Sequence, residues 1–86
     1  MQLDVEVGRR FVVLNPSDNV ATLLDEKTEV NRLSDGMRIA DHVPFGHKVS
    51  LHPIAVGDAI VKYGVMIGMA TKPIKKGEHV HVHNCQ

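Results

Sequence analysis

Apolar residues in this chain come in short runs, and turn-forming residues separate each run from the next. The runs are rich in the β-branched residues Val and Ile, and the separators contain Gly, Pro, Asn and Asp. This pattern predicts strands and no capped helix; the predicted strands are "FVVL", "VATLL", "MRIA", "KVSL", "AIVKY", "VMIGMA" and "HVHVH". The sequence therefore predicts an all-β fold, built as a single small domain over residues 1–86.

A weak internal repeat lies in the second half of the chain. Residues 52–64 and 72–84 align so that a Pro, an Ile, a Gly and an acidic residue coincide in the two copies. Proline restricts φ, and glycine allows a conformation that a Cβ disfavours, so the repeat predicts two similar corners. The histidines of the second copy stand opposite Ala59, Val61 and Tyr63 of the first, so the corner itself does not require histidine.

The last predicted strand alternates histidine with valine. Side chains alternate across a strand, so Val80 and Val82 are expected in the core while His79, His81 and His83 share the other face. Neighbouring histidines on that face have Cα atoms about 6.5–7 Å apart, close enough to bind one metal ion, whereas the outer two lie about 13 Å apart. A metal site would need a further ligand, from a partner chain or from Glu78, His47 or His52. Solvent-facing histidines, an interface or an anion site stay open as alternatives.

Two other polar segments have candidate roles. In "FGHKVSL", His47 and Lys48 follow a glycine turn, where an imidazole and a cation could hold a carboxylate or simply begin a solvated strand. The carboxylates of Asp25, Glu26 and Glu29 are interpreted as a solvated face.

Composition narrows the possible functions. Ten basic residues balance ten acidic ones, and there are three aromatic residues, so nucleic acid is not an expected partner. The single cysteine, Cys85, and a start without a basic and apolar leader predict a reduced, cytoplasmic chain. No apolar run approaches the ~20 residues of a membrane span. No nucleophile stands beside a base and no phosphate-binding glycine loop occurs, so the motifs do not describe a complete enzyme.

Three motifs in order carry a family resemblance: "NPSDNVATLL", "GHKVSLHPIAVGDAIVKYGVMIG" and "ATKPIKKGEHVHVHN". They resemble the SAF domain that forms the N-terminal part, or the separate small subunit, of altronate and galactarate dehydratases and of sulfolactate sulfo-lyase. The resemblance implies a β-clip fold. It also implies an accessory role beside a large catalytic lyase subunit that acts on a sugar acid; sulfolactate is the alternative substrate.

The resemblance extends to the site and its cofactor. Spacing allows His81 to pair with His79 or with His83, and the family motif ends on His81, His83 and Asn84, so His81 and His83 are the predicted metal ligands and His79 is a weaker candidate. A substrate site or interface is predicted at His47, Lys48, His81, His83 and Asn84. A divalent metal such as iron or magnesium would be held mainly by the large subunit. We expect the isolated chain to be inactive and to self-associate weakly; a non-catalytic module that binds metal or carboxylate is the alternative. Residues 25–41 match no motif, so the substrate is not readable from them.

Overall fold

The structure, a computed structural model, describes residues 8–86. Its strands are β1 (Phe11–Val12), β2 (Val20–Leu23), β3 (Lys48–Ser50), β4 (Ala59–Lys62), β5 (Val65–Met69) and β6 (His79–Val80). The described residues contain no helix, and so none that could cross a membrane. The all-β prediction is confirmed, except that "MRIA" forms only an isolated bridge between Arg38 and Arg32.

Two sheets make up the fold. One has four antiparallel strands in the order β1-β2-β3-β6, and the other is the β4–β5 hairpin. All four residues of β2 are buried, because apolar clusters cover both faces of the larger sheet. One cluster contains Val20, Ile54, Ile60, Ala70, Ile74 and Val80; the other contains Ala21, Leu23, Leu33, Ile39, Val43 and Val49.

The predicted pair of corners is confirmed. Ile54 and Ile74, equivalent positions of the repeat, exchange backbone hydrogen bonds of 2.9 and 2.8 Å across an antiparallel bridge. Gly57 and Gly77 follow at equivalent positions, with φ angles of 88° and 83° that favour glycine. The two copies of the repeat therefore meet backbone to backbone near the middle of the molecule.

The C-terminal strand is shorter than predicted. It ends at Val80, and the chain then turns: the His81 carbonyl accepts hydrogen bonds from the backbone amides of Asn84 and Cys85, at 3.0 and 2.9 Å. Val80 is fully buried as expected, but the prediction that Val82 joins the core is wrong, because the turn leaves it 82% exposed. The turn thus removes the strict alternation that a strand would have imposed on the histidines.

A buried ion pair near the start of the described chain was not predicted. Arg9 is fully buried, and its Nε lies 2.9 Å from Oδ1 of Asp25, while its remaining donors reach the carbonyls of Asp25 and Val43. Burial alone would raise the pKa of Asp25, but hydrogen bonds from the Arg10 amide and from Arg9 outweigh it and lower that pKa. Interpreting Asp25 as part of a solvated face was therefore wrong, because it compensates a buried guanidinium.

Asp18 and Asn19 attach the β4–β5 hairpin to the larger sheet. The Asn19 side chain donates to the Ala59 carbonyl at 2.9 Å and accepts from the Val61 amide at 2.8 Å, as a strand neighbour would. One oxygen of Asp18 accepts from the Gly64 amide at 2.7 Å. This segment of the "DNVA" motif therefore fixes the hairpin in place.

Candidate functional site: a histidine cluster

Three histidines from two distant segments converge at the edge of the larger sheet. His47 directly precedes β3 and His79 begins β6, and these strands pair so that Val49 stands opposite His79. Nδ1 of His47 lies 2.9 Å from Nε2 of His79, a distance at which one ring donates to the other. Strand pairing thus joins the "GHK" corner to the terminal histidines, as a shared functional face requires.

His81 completes the cluster from the turn after β6. Its ring stacks on that of His47, with centroids 4.1 Å apart and planes inclined by 16°, and lies 5.7 Å from the ring of His79. One nitrogen from each of the three rings lies within 4.8 Å of the other two. All three side chains are half-buried, so this histidine cluster (His47, His79 and His81) is ordered by packing yet open to a ligand.

His83 lies beside the cluster rather than in it. Its ring centroid is 5.4 Å from that of His79, with the planes inclined by 52°, and the residue is exposed. Spacing along a straight strand allowed His81 to pair with His79 or with His83, and the family motif that ends on His83 and Asn84 favoured His83. The turn instead directs His81 toward His47 and His79, so the geometry replaces His83 with these two.

Asn84 is buried and holds the turn. Its Nδ2 donates to the His79 carbonyl at 2.9 Å, and its Oδ1 accepts from the His81 amide at 3.0 Å. The side chain that was expected at a substrate site or interface therefore bonds within the chain and joins the backbones of two cluster histidines. An asparagine three residues after His81 was the sequence signal for such a turn.

Lys48 lies next to the cluster, in a shallow pocket of about 260 Å³ that His81 also lines. The other lining residues are Ile67, Val82, Cys85 and Gln86. Burial, followed by the nearby charge of Lys62, lowers the pKa of Lys48. Within residues 8–86 no carboxylate forms a salt bridge with Lys48. The pocket therefore offers a cation to an anionic ligand at the side of the cluster.

Burial and nearby charges favour the neutral forms of His79 and His47. Burial lowers the pKa of His79 to about 4, with contributions from the charges of His47, His83, His81 and Lys48. Burial also lowers the pKa of His47, helped by His81 and Lys48. His79 is therefore neutral near pH 7, and its ring can offer a lone pair.

The remaining candidates lie outside the cluster. Glu78 accepts a hydrogen bond from the Lys75 amide at 2.8 Å, and His52 is exposed away from the three rings. A larger pocket of about 640 Å³ opens at the Gly77 corner, lined by residues 38–40, 73 and 75–78, but it includes none of the histidines. Its volume is greater, yet the histidine cluster is the better candidate site because, among residues 8–86, several titratable rings converge only there.

Comparison with known proteins agrees with this architecture. The chain is 38% identical over 79 residues to altronate dehydratase of Bacillus subtilis (strain 168), and 32% identical over 72 residues to galactarate dehydratase (L-threo-forming) of Escherichia coli K12. These matches cover 88% and 81% of this chain but only 16% and 14% of the relatives, so the chain spans a small part of those enzymes.

A shorter relative matches over most of its length. The chain is 33% identical over 84 residues to the (2R)-sulfolactate sulfo-lyase subunit alpha of Chromohalobacter salexigens, covering 86% of this chain and 89% of that subunit. A family profile described as the altronate/galactarate dehydratase SAF domain matches residues 9–86, which include every residue of the histidine cluster. The chain therefore belongs to the altronate/galactarate dehydratase SAF-domain family.

Proposed function

We propose that this chain is the accessory domain of a lyase, as the small subunit or N-terminal domain of a sugar-acid hydro-lyase of the altronate/galactarate dehydratase type. The observation that carries the proposal is the histidine cluster, which opens at the surface of this chain. The chain belongs to the SAF-domain family and spans only 14–16% of the dehydratases it matches. A large catalytic chain, acting in the cytoplasm, would cover the cluster and supply the rest of the active site.

The chemistry of such a lyase suits these residues. Removal of water from a hydroxy acid requires loss of the proton α to the carboxylate and departure of the β-hydroxyl, so the site needs a base and a group that stabilises negative charge. Neutral imidazoles can accept a proton or bind a metal, and the Lys48 ammonium can hold a carboxylate. The cluster alone positions neither a substrate nor a leaving-group acid, which is why we expect the isolated chain to be inactive.

A sulfo-lyase is the second candidate. Its support is the length of the match, because the chain covers 89% of a sulfolactate sulfo-lyase subunit alpha. In that reaction sulfite, rather than water, would leave the carbon β to the carboxylate. The same accessory role and the same histidine cluster apply to both candidates, which differ in the substrate that the large chain binds.

The test is to isolate the chain with its partner. The tagged chain is purified from its own organism under mild conditions, and the large chain that accompanies it is identified. The complex and the isolated chain are then assayed with altronate, galactarate and (2R)-sulfolactate, measuring the keto acid or the sulfite released. We expect turnover by the complex and none by the chain alone.

The result also separates the candidates. Turnover of a sugar acid supports the hydro-lyase, and sulfite release supports the sulfo-lyase. Turnover by the isolated chain, or a chain that binds no lyase subunit and retains a carboxylate or metal by itself, would replace the accessory role with a self-contained function.

A further inference from the structure

We propose that His47, His79 and His81 form a three-nitrogen binding site for one divalent transition-metal ion of the Zn²⁺ or Fe²⁺ type. The site rests on this chain's geometry alone and deepens the proposed accessory function. It differs in two respects from the site that the sequence predicted. His47 and His79 replace His83 as partners of His81, and the metal is held by this chain rather than mainly by its partner.

The distances fit a metal site. Two nitrogens that bind one ion at ~2.0–2.1 Å stand about 3 Å apart, and Nδ1 of His47 lies 2.9 Å from Nε2 of His79. One nitrogen from each of the three rings lies within 4.8 Å of the other two, so closing the site around one ion needs ring movements of up to about 1–2 Å. His81 sits in a turn rather than a strand, where a side-chain rotation of that size is available.

The supporting structure fixes the three backbones. His47 and His79 are anchored by the β3–β6 pairing, and the Asn84 amide group connects the carbonyl of His79 to the amide of His81. Rings held on rigid elements lose little freedom when they bind an ion. The histidine cluster is therefore largely preorganised for a metal.

The donor set selects the class of metal. Imidazole nitrogens suit Zn²⁺, Fe²⁺, Co²⁺ and Ni²⁺, whereas Mg²⁺ prefers oxygen ligands and near-ideal octahedral geometry. The described residues add no carboxylate to the cluster, so magnesium is a poor match. Three protein nitrogens leave coordination positions for water or a substrate oxygen, where a bound ion would act as a Lewis acid.

The test measures metal binding by the full chain without any affinity tag, because a histidine tag would itself bind metal. The chain is stripped with a chelator and titrated with Zn²⁺ by calorimetry and with Co²⁺ by visible absorption. We expect one ion per chain and no competition from excess Mg²⁺. His47→Gln, His79→Gln and His81→Gln should each weaken binding by at least ~10-fold. Removing a residue that only supports a metal ligand already costs about that much, and removing a ligand should cost no less.

Two further variants serve as controls. His52→Gln removes an exposed imidazole far from the cluster, and His83→Gln removes the neighbouring ring; both should retain the affinity and the Co²⁺ spectrum. Thermal unfolding of each chelator-treated variant identifies any that fails to fold. If a cluster variant unfolds, the substitution of the same histidine by Asn is measured in its place.

Three outcomes would overturn the proposal: no binding, binding that all variants share, or binding lost in His83→Gln but kept in His79→Gln. The last would restore the pair that a straight strand predicts. Because these measurements use the chain alone, a failure here leaves the accessory role intact. Conversely, a chain that binds metal but associates with no lyase subunit would contradict only the proposed function.

Discussion

Asn84 shows how much of the site's geometry rests on one buried side chain. It is buried, and both ends of its amide bond to the backbone of the cluster histidines. A buried amide of this kind is costly to leave half-satisfied, so its removal affects both the stability of the turn and the position of His81.

We predict that Asn84→Ala lowers the free energy of unfolding by about 1–3 kcal/mol, because it leaves the His79 carbonyl and the His81 amide without partners. Urea unfolding of the chelator-treated chain measures the change. Asn31→Ala, at an exposed asparagine, is the control and should change stability by less than about 0.5 kcal/mol. An unchanged Asn84→Ala variant would show that the turn forms without this side chain.

The pKa of His79 gives a second prediction. Its folded pKa of about 4 lies below the ordinary value of 6.5, so protons bind more readily to the unfolded chain. The stabilising contribution is therefore complete above about pH 6.5 and declines as the pH falls toward 4.

Unfolding measured without metal at several pH values between about 7.5 and 4.5 should show this loss, and His79→Gln should reduce its slope. Asp18 and Asp25 contribute little over this range, because the unfolded carboxyl pKa of 3.8 lies below it and the folded pKa of each is lower still. Equal slopes for the two proteins would mean that His79 titrates normally in the folded chain.

The sequence placed His47, His79 and His81 among several candidate ligands but did not select these three over His83, His52 or Glu78. His47 and His81 were named as candidates because glycine precedes one and alternation surrounds the other. Their contact depends on the pairing of β3 with β6, strands that lie some thirty residues apart, and on the turn that the buried Asn84 helps to hold. Short-range periodicity carries no information about either.

Among the structural elements, the two corners are the feature that sequence predicted best. The alignment of residues 52–64 with 72–84 anticipated two similar corners and the positive φ of both glycines, but not the bridge that joins Ile54 to Ile74. Strands were located well and their ends poorly, because the alternation of histidine and valine continues past the point where the backbone turns. "MRIA" forms no strand. Its apolar residue Ile39 is buried in the second core cluster by packing, without pairing in a β-sheet.

The two corner glycines give a matched pair of variants. Gly57→Ala should cost about 1–2 kcal/mol of stability, the strain of a Cβ at positive φ, since nothing lies within 4 Å of that Cβ. Gly77→Ala should cost a further ~1–3 kcal/mol, because its Cβ would stand 2.4 Å from the Arg38 carbonyl oxygen. Urea unfolding of the two variants compares them directly, and equal losses would show that residues 38–39 move aside freely.

At the scale of the whole molecule, one hairpin exposes several large apolar side chains. Tyr63, Val65, Met66, Ile67 and Met69 are each at least 40% exposed along the β4–β5 hairpin, which we call the β5 surface. Exposed apolar patches commonly mark interfaces, and Ile67 also lines the Lys48 pocket beside the histidine cluster. If the accessory role is correct, a lyase partner that reaches the cluster would cover this surface as well.

We predict that Met66→Lys weakens association with the large chain by about 10-fold or more, as expected for a charge placed in an apolar contact. Its effect on the stability of the isolated chain should stay within about 0.5 kcal/mol, because Met66 is 62% exposed. Affinity is measured by calorimetry on the purified pair. The control is Val56→Lys, since Val56 is 60% exposed but lies outside the β5 surface.

Loss of binding in the control alone would move the interface to the corner that contains Val56. The weak self-association expected from the sequence stays a prediction; sedimentation of the isolated chain tests it, and Met66→Lys should abolish it if the β5 surface is responsible.

The bridge between Ile54 and Ile74 joins two copies of one repeat whose exposed residues differ in kind. Each side of the bridge has the same backbone plan, yet one copy leads into an apolar hairpin and the other into a row of imidazoles. Since the plan depends on proline, glycine and buried isoleucine, the outward-facing residues of each copy can change without disturbing the other. Under the proposed accessory role, attachment to a partner and chemistry toward a ligand could therefore diversify separately in the two copies of the repeat.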